Sequence, residues 1–404
     1  MSASLPLSPA QSAPARTPRA VRASGTKRSR GLSAFDLVII ASVGLWSWIA
    51  FVGGGDNFSY DYGNYIAYFE RMRDLGADDL WAQLQAFFPY PYVLVPPAGF
   101  FEIGFVGVTW SLLIAGLGAE TVYALVGTAS IVLRLVLLRA LGLGWMTVAL
   151  VTIYSVTLFE ANAIRLGCAL TATVAALWAW RRGRVLAGIL LLVLAALMHL
   201  QTLAFTLPFA VAMVCAPLLR RHRAWRLAAV AITMAGALGV ILAPSLSDFG
   251  KLGEYADIAA GSVGLNLASV SGALALALGS WVFVQRFGAR GPLSGAAGHD
   301  ADLWSAVHIA ALPAVVLVLL AVSLGALGDR VWQFAFMAAI AALPLGRACA
   351  RTAGRRLPVM AYDLTLHMGL AIAVVNVTLR YPLSNFFAPL LPFVPISPST
   401  LIVL

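Results

Sequence analysis

The sequence predicts an all-α, polytopic integral membrane protein with about 11–13 transmembrane helices and an outer amphipathic loop. Hydrophobic residues fill 61% of the 404 positions and charged residues only 11%, against roughly 45–50% and about 25% in soluble domains. The mean hydropathy is +0.88. The apolar residues fall in long runs without two-residue alternation, so backbone polar groups must be satisfied inside helices rather than between strands of a barrel.

Residues 1–33 carry Arg16, Arg19, Arg22, Lys27, Arg28 and Arg30 with no acid, and are rich in Ser, Ala and Pro. They read as a disordered basic cytoplasmic tail, followed by one polytopic domain over 34–404. Apolar segments lie at about 34–54, 99–118, 121–138, 144–159, 163–180, 185–199, 201–219, 227–243, 265–284, 304–327, 331–346 and 357–379, each near the ~20 residues a span requires. The first run is too long and too late for a cleaved signal peptide. The apolar, Pro-rich stretch 385–404 reads as a partial or interfacial segment. Cys168, Cys215 and Cys349 lie in or beside apolar runs and read as free thiols packed among helices; they form neither a disulfide framework nor a metal spacing.

The net charge of +10 does not indicate a nucleic-acid partner, because the basic residues cluster in short loops between apolar spans. Arg181, Arg182 and Arg184 form one such loop, and Arg220, Arg221, Arg223 and Arg226 another. Arg286 to Arg290 and Arg347 to Arg356 follow. Loops of this kind mark the cytoplasmic side. The run 185–219 is too long for one helix, so it is predicted to fold back at His199-Leu-Gln201. By the same logic 144–180 turns at Phe159 to Arg165. Both turns then face outward, as do the loop 244–264 and Arg330. The basic tail and Arg139 should share the cytoplasmic side, which requires an even number of crossings between them. Three apolar segments lie there, so either one does not cross or part of 82–98 dips into the membrane. The loop 55–98 holds Asp56, Asp61, Glu70, Asp74, Asp78 and Asp79 against Arg71 and Arg73. With its Tyr and Trp residues it reads as partly helical and interfacial.

Charged residues in apolar spans are costly and are functional candidates by default. Each also has a plain structural alternative. Arg134 is read as a snorkelling or topology-setting arginine. Glu102, opening the second segment, could simply favour a helix N-terminus. Arg165 could pair locally with Glu160, and His199 could be a hydrogen-bonded packing residue. Together, the acidic aromatic loop, Glu102, Arg165, His199 and Arg330 suggest one outward polar cavity. Arginines there would neutralise phosphates, a carboxylate or histidine would act as base on a sugar hydroxyl, and Tyr and Trp would stack on sugar faces.

The order of short motifs resembles the EpsG family of exopolysaccharide and O-antigen polymerases (Wzy-type). The matching elements are Asp61-Tyr62-Gly63-Asn64-Tyr65, Glu102-Ile103-Gly104-Phe105, Asn162-Ala163-Ile164-Arg165-Leu166-Gly167-Cys168-Ala169, His199-Leu200-Gln201-Thr202-Leu203 and Arg330. Leu166 stands where the family has Gln, and Gln201-Thr202 where it has Ser-Ala. The resemblance implies glycosyl transfer at the outer leaflet of a bacterial cytoplasmic membrane, joining polyprenyl-diphosphate-linked oligosaccharides into a polymer. Asp61, Glu102 and His199 are the implied catalytic residues, with Asp61 or Glu102 deprotonating the acceptor and His199 supporting either. Asp56, Tyr65, Asn162, Arg165 and Arg330 are the implied substrate contacts, with Arg165 and Arg330 on the diphosphate. No motif requires a metal or other cofactor, although Asp56 and Asp61 could hold a cation. The implied partners are the lipid-linked oligosaccharide, membrane lipid and a chain-length regulator protein. A transporter or flippase for the same lipid-linked sugar, and a structural subunit of an export complex, are the competing readings.

Overall fold

The structure, a computed structural model, describes residues 31–58, 61–87, 92–95, 99–160 and 163–214, together with positions 231, 235, 364, 367–368, 370–372 and 374–375. The predicted segments from 227 onward lie wholly or largely outside these residues.

The described chain is mostly helical. Helix α1 (Ala34–Phe58) opens with a capping box: the Ser33 amide donates to Asp36 Oδ2 at 2.9 Å, and the Asp36 amide donates to Ser33 Oγ at 3.1 Å. Helix α2 (Tyr62–Met72) buries Tyr65, Tyr68, Phe69 and Met72, the i, i+3, i+4, i+7 stripe of an amphipathic helix. In α3 (Ala77–Phe87) Leu80 is buried while Trp81 is exposed. The loop predicted over 55–98 is thus partly helical, as its pattern suggests.

The all-α expectation misses a small hairpin. Strand β1 (Tyr92–Val95) pairs antiparallel with β2 (Gly99–Glu102), with Tyr92 opposite Glu102 and Val93 opposite Phe101. Aromatic and β-branched residues favour this pleated surface, and Val93 and Phe101 are both buried. The predicted second span therefore begins as a strand and continues as the short helix α4 (Ile103–Ile114).

Helix α5 (Ala119–Ala140) packs antiparallel to α1. Asp36 meets Arg139 at one end, Gly44 lies against Val132 in the middle, and Phe51 lies against Gly127 and Tyr123 towards the other. Then follow α6 (Trp145–Ser155), a π-helical turn (Val156–Glu160), α7 (Ile164–Arg181), α8 (Val185–Met198), a 3₁₀ turn (Leu200–Thr202) and α9 (Leu203–Val214). Both predicted turns are present, at the π turn and at His199. Gly116, Gly142 and Gly183 hold positive φ just past α4, α5 and α7, closing each with the left-handed C-terminal turn that glycine adopts without strain.

The α1–α5 pair gives the bundle two distinct ends. At one, Asp36 accepts from Arg139 Nε and Trp145 Nε1 at 3.0 and 2.9 Å, and Arg181 reaches the Leu141 carbonyl at 2.5 Å. At the other lie the starts of α5 and α7 and the end of α8. Helix α4 begins and ends near this second end: it follows Glu102 there and hands over through Gly118 to the start of α5. It also lies along α2, with Trp110 Nε1 donating to the Leu75 carbonyl at 2.9 Å. A helix of 12 residues is about 18 Å long, well short of a hydrocarbon core of about 30 Å. Two long helices, not three, therefore connect Asp36 to Arg139. Both α1, over Ala34–Gly53, and α5 are long and apolar enough to cross a membrane. The odd count in the sequence arises because hydropathy alone does not distinguish a short apolar helix from one long enough to cross.

Candidate functional site

Strand β2 delivers Glu102 to the position immediately before α4, where its backbone is extended and its carboxylate turns away from the helix it precedes. It is 3% exposed and takes three donors: Arg165 Nη1 at 2.5 Å, His199 Nδ1 at 2.9 Å and the Leu200 amide at 3.2 Å. The expected role as a helix-terminal acid is replaced by that of a hub between separate helices.

The hub explains local structure. Residues 199–201 contain neither Gly nor Pro, yet α8 ends there. The Leu200 amide leaves the helical ladder for Glu102, and Thr202 Oγ1 donates to the His199 carbonyl at 2.7 Å. Gly104 permits the approach: a Cβ there would meet the Leu197 carbonyl oxygen at 2.7 Å. His199 is therefore not merely a packing residue. A carboxylate only accepts, so Nδ1 carries a proton; whenever the ring is neutral, its lone pair is on Nε2.

Arg165, in the first turn of α7, is 24% exposed and His199 15%; these two side chains, not Glu102, are the accessible members. Arg165 also donates to Tyr65 Oη at 3.4 Å, with its guanidinium 4.6 Å above the Phe101 ring. Its partner is Glu102, not the Glu160 that stands nearer in sequence. Tyr65 is only 5% exposed and packs among Phe69, Phe101, Phe105 and Tyr123, so it supports Arg165 rather than presenting a face to substrate. Phe101 in turn stacks on Tyr68 at 3.6 Å. This aromatic group is core. Asp61 precedes α2, half-buried, within reach of the Arg165 charge. Asp56 lies near the end of α1 with its side chain outside the described residues, as are Asn162 and Arg330 altogether.

Burial pushes the Asp61 carboxyl up, against the pull of Asn64 and Arg165. Burial also opposes ionisation of Glu102, but Arg165 and His199 outweigh it and hold the carboxyl down at about 2. Glu102's stabilising contribution is therefore complete above its ordinary 4.5 and is lost as pH falls from there towards about 2. The melting-temperature gap between wild type and Glu102→Gln in detergent is expected to be constant above about pH 5 and to narrow below it. A gap unchanged down to about pH 3 would contradict this linkage.

A second ionic group lies deeper. Arg134 Nη2 contacts Glu160 Oε1 at 2.7 Å, the two being 1% and 0% exposed. Arg134 does not snorkel, because its counter-charge is inside the bundle. Two opposite charges isolated in apolar segments were the signal that could have paired them. Asp36, the acid at the other end, shows only as the fourth residue of Ser33-Ala34-Phe35-Asp36. Among the described residues no group of three or more His, Cys, Asp or Glu gathers to hold a metal.

The model of the EpsG family matches residues 39–389. The chain belongs to the EpsG family. Asp61, Tyr65, Glu102, Arg165 and His199 all fall inside the match, as do Asp56, Asn162 and Arg330. No curated protein and no solved structure matches the chain. EpsG membership points to a polysaccharide-polymerase type of function and, with the apolar helices, to a membrane protein.

Proposed function

We propose that this EpsG-family chain is a polytopic membrane glycosyltransferase of the cytoplasmic membrane of a bacterium. It joins polyprenyl-diphosphate-linked oligosaccharides into exopolysaccharide or O-antigen at the outer leaflet. The observation that carries the reading is the convergence of Glu102, Arg165 and His199, from three separate motifs, at one end of the bundle. Arg139, Arg181, Arg182 and Arg184 gather at the opposite end. By the positive-inside rule that end is cytoplasmic, which puts the N-terminus inside and the site outside.

In the proposed reaction, His199 Nε2 accepts the proton of an acceptor sugar hydroxyl while Glu102 fixes the ring through Nδ1. The hydroxyl oxygen bonds to the anomeric carbon of the donor unit, and the bond from that carbon to the diphosphate oxygen breaks. The electron pair leaves with polyprenyl diphosphate, whose charge Arg165 meets, with Arg330 given the same role. Glu102 is already committed to three donors, so the geometry favours it as orienter and His199 as base; Asp61 is the second candidate base. The expected partners are the lipid-linked oligosaccharide, membrane lipid and a chain-length regulator.

The test is polymerisation of purified lipid-linked repeat units by reconstituted protein. Loss of a general base lowers rates about 10²–10⁴-fold, and His199→Ala is expected in that range at normal abundance. Glu102→Gln, which disturbs the ring's orientation, is expected to fall by about 10²-fold or more. Wild-type rates in both variants would overturn the assignment. Translocation of the units without joining them would favour a transporter, although transporters place their charges at mid-membrane.

A further inference from the structure

We propose that the buried pair Arg134–Glu160 is a positioning device for Arg165. The inference rests on the reading of Arg165 as the cation that meets substrate.

The argument begins with where the pair is attached. Arg134 projects from the middle of α5. It holds Glu160 Oε1 at 2.7 Å, and it also donates to the Gly167 carbonyl and to Thr171 Oγ1, each at 3.3 Å. Glu160 ends the π turn and Gly167 lies in the first turns of α7, so the two contacts bracket Arg165 in the chain. Ser130, one turn before Arg134, donates to the same Glu160 oxygen at 3.1 Å and lies 3.0 Å from Thr171 Oγ1. Tyr123 Oη donates to the Glu160 carbonyl at 3.1 Å, and the Tyr123 ring rests on Tyr65, the residue that receives Arg165 Nε. Both sides of Arg165 and the support beneath it are thus tied to α5.

Three features point to position rather than bulk stability. Burying an ion pair is often no better for stability than apolar residues of the same volume. The sequence accommodates the carboxylate at a close approach: a Cβ at Gly167 would collide with Glu160. The pair also starts from a π turn, a rare geometry often found beside functional sites.

The test is a double-mutant cycle on the reconstituted full chain, with polymerisation followed against donor concentration. Arg134→Lys keeps the charge but loses the fork that spans Glu160 and Gly167. A displacement of about 1 Å can lower rates by about 10²-fold. Arg134→Lys is expected to lower kcat/KM by about 10- to 100-fold, mainly through KM, at unchanged membrane abundance. In an Arg165→Lys background the same substitution is expected to add less than about twofold, because the group it positions is already compromised. Independent multiplication of the two losses would overturn the inference. Thr171→Val keeps the ion pair and removes one tie to α7. It serves as the milder variant if Arg134→Lys folds poorly, with the same non-additivity expected. If wild type makes no polymer, the polymerase reading fails. The cycle is then scored on farnesyl diphosphate binding to the detergent-purified full chain. Non-additive loss there supports the inference; multiplicative loss, or no binding by wild type, overturns it.

Discussion

Arg165→Ala is expected to lower polymerisation by about 10³-fold, the scale seen when a cation meeting phosphoryl charge is removed. Two losses coincide. In the proposed mechanism the leaving diphosphate loses the accessible guanidinium, and Glu102, 3% exposed, keeps only His199 and the Leu200 amide. A buried acceptor deprived of a partner costs about 1–3 kcal/mol, so a lower melting temperature should accompany the loss. Arg165→Lys separates the two effects. It restores a charge but not the simultaneous reach to Glu102 and Tyr65, and is expected to retain activity at about a tenth of wild type. In cells, the measurement is polymer length on gels at matched protein abundance. Wild-type chain length in Arg165→Ala would remove Arg165 from the site.

The second large effect is expected at Gly104, a residue with no chemistry of its own. Its missing Cβ makes room for the Leu197 carbonyl oxygen and carbon, at 2.7 and 2.8 Å from where that Cβ would stand. These are backbone atoms, and they cannot rotate aside. Gly104→Ala must push α4 from α8, at the level where Glu102 on one meets His199 at the end of the other. Overpacking of this kind costs about 1–3 kcal/mol, and the 2.9 Å contact between Glu102 and His199 is the first to open. Activity is expected to fall by about 10²-fold. Gly107→Ala, in the same helix with nothing within 4 Å of the added carbon, is the control and should be silent. Equal behaviour of the two variants would refute the close-approach explanation.

Much of the site is legible as motif and little of it as geometry. The Glu102-Ile103-Gly104-Phe105 element shows which residues matter. In the fold, Glu102 becomes a hub carboxylate, Gly104 leaves space for α8, and Phe105 sets its ring against Tyr65 and Phe69. Charge in an apolar run marks Arg134 as unusual, but nothing local says that it faces inward. Tyr65 looks like a sugar-facing aromatic until its burial shows it supporting Arg165. The hairpin before α4 is hidden for a different reason. Its strands are four residues each, too short for periodicity to separate them from the start of an apolar helix.

Composition by itself determined the helical, apolar character of this chain, because a backbone short of water must satisfy its hydrogen bonds locally. Apolar runs and charge placed the helices and the turns at Phe159–Arg165 and His199, since these depend on neighbours in sequence. Only the tertiary structure decided that α4 stays at one end, that Arg134 meets Glu160, and that Arg165 meets Glu102 across 63 residues of chain. Coulomb attraction and hydrogen bonding act through space. In a bundle of antiparallel helices, the nearest charge in space need not be the nearest in sequence.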